Sequence, residues 1–192
     1  RGGLTVCVQT RDQRSLRLLT VDPKSGKTRL LLEETDPAWV NLDQDVPRWL
    51  EDGSGFLWTT ERRGGWELEL RDRAGQWVRT LVSKELGYRA LKGIDAASGD
   101  IWFTASADPT ETHVWTVKWE GGEPRRQETH KGVTEVKIGG KPMLAVYTHA
   151  GIDQMPVTEV RRADGTLAGV LPSVAEEPGL TLKTDVVHVG EG

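Results

Sequence analysis

Apolar and polar residues alternate with a period of two along much of the chain, and helical periodicity is almost absent. In Trp66-Glu67-Leu68-Glu69-Leu70-Arg71 the apolar residues fall on one face and the charges on the other. Met143-Leu144-Ala145-Val146-Tyr147 is nearly continuous in apolar character, which predicts a strand buried on both faces. Ile101-Trp102-Phe103-Thr104 reads the same way.

Compact turn signals separate these stretches: Asp22-Pro23-Lys24-Ser25-Gly26, Asp72-Arg73-Ala74-Gly75, Glu120-Gly121-Gly122 and Ala163-Asp164-Gly165. Their glycines recur at roughly 43 to 49 residues, a blade-like period. Strands are expected before each turn (Leu16–Val21, Trp66–Arg71, His113–Lys118, Val157–Arg161) and after it (Thr28–Leu32, Trp77–Leu81, Arg125–Glu128, Thr166–Leu171). A further strand precedes each pair: Leu4–Gln9, Phe56–Thr60, Ile101–Ala105 and Met143–Thr148. Val46–Leu50 and Tyr88–Asp95 are candidates for innermost strands.

This repeat predicts an all-β fold, a β-propeller fragment of about four blades of antiparallel strands. The blades are expected near 4–35, 46–83, 88–130 and 133–171. A β-sandwich ranks second, because its turns would recur without the longer period. Pro172–Gly179 reads as a linker, so residues 172–192 are expected to lead away from the blades, with a strand over Asp185–Val189. Both ends read as cut from a longer protein.

Eight Trp against two Phe and two Tyr predict a core built on indoles. The balance of 25 basic and 29 acidic residues, net −4, disfavours a nucleic-acid surface, and no apolar run is long enough to span a membrane. Cys7 is the single cysteine, so it forms no internal disulfide and leaves the compartment open.

Candidate chemistry is sparse. The Gly-x-Ser-x-Gly elbow that an α/β-hydrolase nucleophile needs is missing. Gly53-Ser54-Gly55 follows Asp52 and precedes a strand, which is hairpin chemistry. His113, His130, His149 and His188 are scattered, so no catalytic residue and no metal site is assigned. Gly139-Gly140-Lys141 lacks the rest of a phosphate-binding loop and reads as a turn.

Three stretches, in order, carry a family resemblance. The first is Val8-Gln9-Thr10-Arg11-Asp12-Gln13, with Asp22 to Thr28 and Leu31 to Trp39. The second is Asp52 to Arg62, and the third is Trp102-Phe103-Thr104-Ala105 with Asp108 to Trp115. Together, from Leu4 to about Leu182, the chain resembles the N-terminal region of dipeptidyl peptidase IV, in the prolyl oligopeptidase family of serine peptidases. The resemblance implies the second half of an eight-bladed propeller that caps an α/β-hydrolase domain beginning beyond Gly192. It implies a parent that removes dipeptides from peptide N-termini, with peptide substrates and that hydrolase domain as partners. No activity is expected of this fragment, and no cofactor. An extracytoplasmic or periplasmic setting is compatible with the resemblance. The alternative is a stand-alone binding or scaffolding propeller without a hydrolase.

In the family a Glu pair following a Trp holds the substrate ammonium. Glu33-Glu34 precedes Trp39, and Glu176-Glu177 lies in the linker, so neither takes that role. The pair is expected upstream of Arg1. The family's aromatic–Arg–His run after the strand corresponding to Phe56–Thr60 is matched here by Gly65-Trp66-Glu67, with the aromatic displaced by one and the Arg absent. Arg62 and Trp66, in a turn expected at a blade end, are the substrate-binding candidates, and packing between blades is the favoured role for Trp66. The exposed terminal blades are expected to self-associate.

Overall fold

The computed structural model describes residues 3–176, 179–180, 183–185 and 187. The strand expected over Asp185–Val189 rests mainly on residues outside that set, as do His188 and Glu177.

Among the described residues, fifteen strands form four antiparallel sheets. Blade 1 holds β1 (Thr5–Gln9), β2 (Ser15–Val21) and β3 (Thr28–Thr35). Blade 2 holds β4 (Arg48–Trp49), β5 (Gly55–Thr60), β6 (Glu67–Asp72) and β7 (Trp77–Val82). Blade 3 holds β8 (Tyr88–Asp95), β9 (Asp100–Ala105), β10 (His113–Lys118) and β11 (Arg125–Arg126). Blade 4 holds β12 (Val133–Gly139), β13 (Leu144–Gly151), β14 (Gln154–Arg162) and β15 (Leu167–Leu171). Within each sheet the spatial order is the chain order. That up-and-down meander is the propeller blade, whereas a sandwich would return strands between sheets by Greek-key crossovers.

The anticipated turns form for a local reason. Asp72 Oδ1 accepts the backbone N–H groups of Ala74 and Gln76, both at 2.8 Å, and Gly75 takes φ 87°. Such an aspartate turn followed by a left-handed glycine brings β6 back as β7. Gly75 also presses on the neighbouring blade: a Cβ there would lie 2.1 Å from the carbonyl oxygen of Leu31 in β3.

Strand β12 was not anticipated, although Val133–Gly139 alternates buried and exposed residues along most of its length. Its polar partners, Glu135 and Lys137, interrupt the apolar run and hide the signal.

Burial follows blade position. Every residue of β5 is buried, and Phe56, Leu57 and Trp58 belong to a core cluster shared by blades 1 to 3. A smaller cluster joins Trp102 and Val114 of blade 3 to Val136, Ala145 and Tyr147 of blade 4. One expectation needs correction. The Met143–Tyr147 stretch is not buried on both faces: Ala145 and Tyr147 are buried, Leu144 is exposed. Blade 4 has one covered face among the described residues, and the outer face meets solvent. The charged face of β6 is buried too. Glu67, Glu69 and Arg71 are all buried, because an inner blade is covered on both sides. They persist there as ion pairs, Glu69 with Arg71, and both carboxylates with Arg63 from the preceding turn.

Candidate functional site

A cleft of about 510 Å3 opens between blades 1 and 2. Its floor is a hydrogen-bonded cluster centred on Glu34, near the end of β3. Strand alternation sends Glu33 and Glu34 to opposite sides of the sheet. Glu33 accepts hydrogen bonds from Arg17 Nε at 2.8 Å and Ser15 Oγ at 2.9 Å, and these donors hold its carboxyl below the usual range. Glu34 turns into the blade interface. There its carboxylate accepts from Trp58 Nε1 at 2.8 Å, Thr60 Oγ1 at 3.2 Å and Arg62 Nε at 2.7 Å. Burial dominates and pushes the Glu34 carboxyl above its ordinary value, against those donors and the Arg62 charge. The two adjacent glutamates thus cannot close on one ammonium together.

The wall is the segment joining blade 1 to blade 2. Asp36 Oδ1 accepts the N–H groups of Ala38 and Trp39 at 2.7 and 3.1 Å and starts the turn. Trp39 is exposed, and its Nε1 donates to Asn41 Oδ1, whose Nδ2 donates to Glu61 Oε2. Thr59 Oγ1 donates to Asp43 Oδ2 at 3.1 Å. The backbone is fixed by Val40, whose N–H donates to Gln13 O and whose carbonyl accepts from Gln9 Nε2. Cys7 lies at the cleft with its thiol raised by desolvation, the opposite of an activated nucleophile.

Both sequence candidates lie on this cleft. Arg62 sits in the exposed turn after β5, where Gly64 N–H donates to Glu61 O, so the segment is a blade end as expected. Its Nη2 also donates to the Glu33 carbonyl at 2.7 Å. Trp66 is half-buried, lines the cleft and packs on the shared core, so lining and packing are combined in one ring. The sequence reading missed Asn41, Asp43, Trp58 and Thr60. Trp58 was visible as a strand residue, but the acceptor of its indole N–H lies one blade away.

The histidines are not all isolated. His130, His149 and Glu159 bring one donor atom each within 4.8 Å of one another, where sequence spacing offered no set. His113 bonds Glu111 and Glu128 on its two ring nitrogens. Among the described residues, no helix is long and apolar enough to cross a membrane.

The profile of the dipeptidyl peptidase IV (DPP IV) N-terminal region matches residues 2–156. Among solved structures, dipeptidyl peptidase 4 from Porphyromonas gingivalis superposes with a TM-score of 0.79 at 22% identity, over 88% of this chain and 24% of that one. TolB from Acinetobacter baumannii aligns with a TM-score of 0.49 at 15% identity, over 87% of this chain and 42% of that one. The chain thus spans about a quarter of the length of the peptidase. Four meander blades, and a profile match that runs through the first three and into the fourth, make this chain a member of the dipeptidyl peptidase IV N-terminal region family.

Proposed function

We propose that these blades gate and position peptide substrates for an α/β-hydrolase domain carried by the same parent polypeptide, a serine-type exopeptidase that releases dipeptides. The observation that carries this reading is the family match over residues 2–156. In this reading the four blades are the second half of an eight-bladed ring, and residues 172–192 lead toward the hydrolase.

The cleft fits a contact role. Asp36, Asp43 and Glu61 line it, and Arg62, the one lining cation among the described residues, is already neutralised by Glu34. That acidic excess, beside the exposed Trp39 ring, suits a peptide with a cationic group. Arg62 and Trp66 are the residues assigned to substrate contact, Arg62 by fixing the rim and Trp66 by offering its ring face.

The test is the parent protein, assayed with Gly-Pro and Ala-Pro chromogenic amides. Dipeptide release is expected, together with a Gly-x-Ser-x-Gly elbow, an Asp and a His beyond Gly192. A full-length parent that lacks the elbow and leaves these amides intact would instead make the chain a binding propeller.

A further inference from the structure

We propose that blade 4 carries a binding site for a divalent transition ion of the zinc class, formed by His130, His149 and Glu159 and placed at the crossover from blade 3.

The register creates the site. Thr134 of β12 pairs with His149 of β13, and Tyr147 of β13 pairs with Glu159 of β14. Directly paired residues share a face, and so do residues two apart on a strand. Thr134, His149 and Glu159 therefore project from the same side of blade 4. His130 arrives from the segment joining β11 to β12, and its ring stacks on His149 with centroids 3.7 Å apart.

His149 is prepared as a ligand. It is 2% exposed, and its Nδ1 lies 3.0 Å from Thr134 Oγ1. A hydroxyl accepting from Nδ1–H leaves Nε2 with its lone pair, the arrangement found for metal-bound imidazoles. Nε2 is buried without a hydrogen-bond partner and lies 3.9 Å from Glu159 Oε2. A buried, unpartnered acceptor of this kind is costly unless something occupies the space before it.

The other two ligands are held from outside. The N–H of His130 donates to Glu128 Oε2 at 2.7 Å, and its carbonyl accepts from Arg126 Nη2 at 2.7 Å, which pins the loop on both sides. Arg161 donates to Glu159 Oε2 from Nε at 3.0 Å and Nη2 at 2.8 Å, and Arg161 Nη1 is anchored on Gly165 O at 3.1 Å. The guanidinium orients the carboxylate and also competes with a cation for it, which sets the site at moderate strength. Two imidazoles and one carboxylate suit zinc, with the fourth position open to water. Calcium and magnesium, which need a shell of oxygens, are excluded by the same donor set. Bound metal would clip the blade 3 to blade 4 crossover onto β13 and β14.

The probes are Zn2+ and, for its visible spectrum, Co2+, added to the metal-free full chain. The expected result is one equivalent bound, tetrahedral or five-coordinate Co2+ bands, and ring-nitrogen NMR shifts at His130 and His149 on adding Zn2+. His130→Ala and Glu159→Gln should each weaken binding by at least about tenfold. Both residues are only partly buried, and the metal-free melting temperature of each variant reports its folding. His113→Gln should bind like the wild type. Failure of the wild type to bind Zn2+ or Co2+ overturns the proposal. So does wild-type affinity in either ligand variant, or ring shifts confined to His113.

Discussion

Arg62 and Glu34 join two blades through one contact: the Arg62 Nε–H donates to Glu34 Oε2 at 2.7 Å. Glu34 is almost fully buried near the end of β3, while Arg62 keeps 38% of its side chain exposed in the turn after β5. The pair thus latches the solvent end of blade 2 onto the interior of blade 1, at the mouth of the candidate cleft. Arg62→Ala removes the partner of a buried carboxylate but leaves the Trp58 and Thr60 donors in place. Exposure of the guanidinium reduces what the ion pair contributes. A loss on the order of 1–2 kcal/mol is expected, read from urea unfolding. An unchanged midpoint would show that the latch is ornamental.

Glu34 also sets a pH dependence. Its folded carboxyl is raised above the ordinary glutamate value because burial outweighs its donors. A raised folded value means that the stabilising contribution of the group is complete below the unfolded value, near about 4.3, and is lost as pH rises through the folded value. Relative to Glu34→Gln, the wild type should therefore lose stability as pH rises from about 4 toward neutrality. Paired unfolding curves across that window give the difference directly. A difference moving the opposite way would mean that Arg62 and the two neutral donors prevail over burial.

Trp66→Ala should lower stability by roughly 2 kcal/mol, about half the cost of emptying a fully enclosed aromatic site. In the parent enzyme the same change should alter the preference for longer peptides relative to dipeptidyl amides. Reduced stability with an unaltered preference would leave Trp66 a packing residue only.

The chain by itself should not turn over Gly-Pro or Ala-Pro amides, since its sequence holds no nucleophile elbow. Turnover that follows the chain through gel filtration after repurification would contradict this.

The outer faces of the terminal blades should drive self-association. Leu4, Val6 and Val8 are exposed at β1, and Leu167, Val170 and Leu171 at β15. Apolar strands of this kind invite a second copy. Sedimentation at micromolar concentration should show a concentration-dependent dimer, and Val8→Lys should shift it toward monomer. A strictly monomeric wild type would rule out the pairing.

The blades were legible because their turns are. An aspartate whose side chain caps the next N–H groups, followed by glycine with positive φ, is local chemistry, and it recurs at Gly26, Gly75 and Gly165. Strand β8 was readable over Tyr88–Asp95 for its apolar content, whereas β12 was hidden by Glu135 and Lys137. The burial of the charged face of β6 was not legible, because alternation separates two faces without saying what covers either. The sites were less legible for a related reason. Arg62 and Trp66 could be singled out as blade-end residues, but Glu34 finds Trp58 and Arg62 across a blade boundary. His130, His149 and Glu159 meet only once strand register has been fixed, and no spacing along the chain encodes that.

The contact between Gly75 and the Leu31 carbonyl has a consequence for how such a chain can change over time. There the distance between two blades is gauged by main chain against main chain, with no side chain serving as the spacer. Apolar residues in the layers on either side can be exchanged for others of similar bulk without resetting the angle at which the blades meet. A single methyl at position 75 would act as a shim against the Leu31 carbonyl, pushing the β6–β7 turn of blade 2 away from β3 of blade 1. At that end of the blades the spacing is therefore guarded by main chain, and position 75 is closed to any side chain.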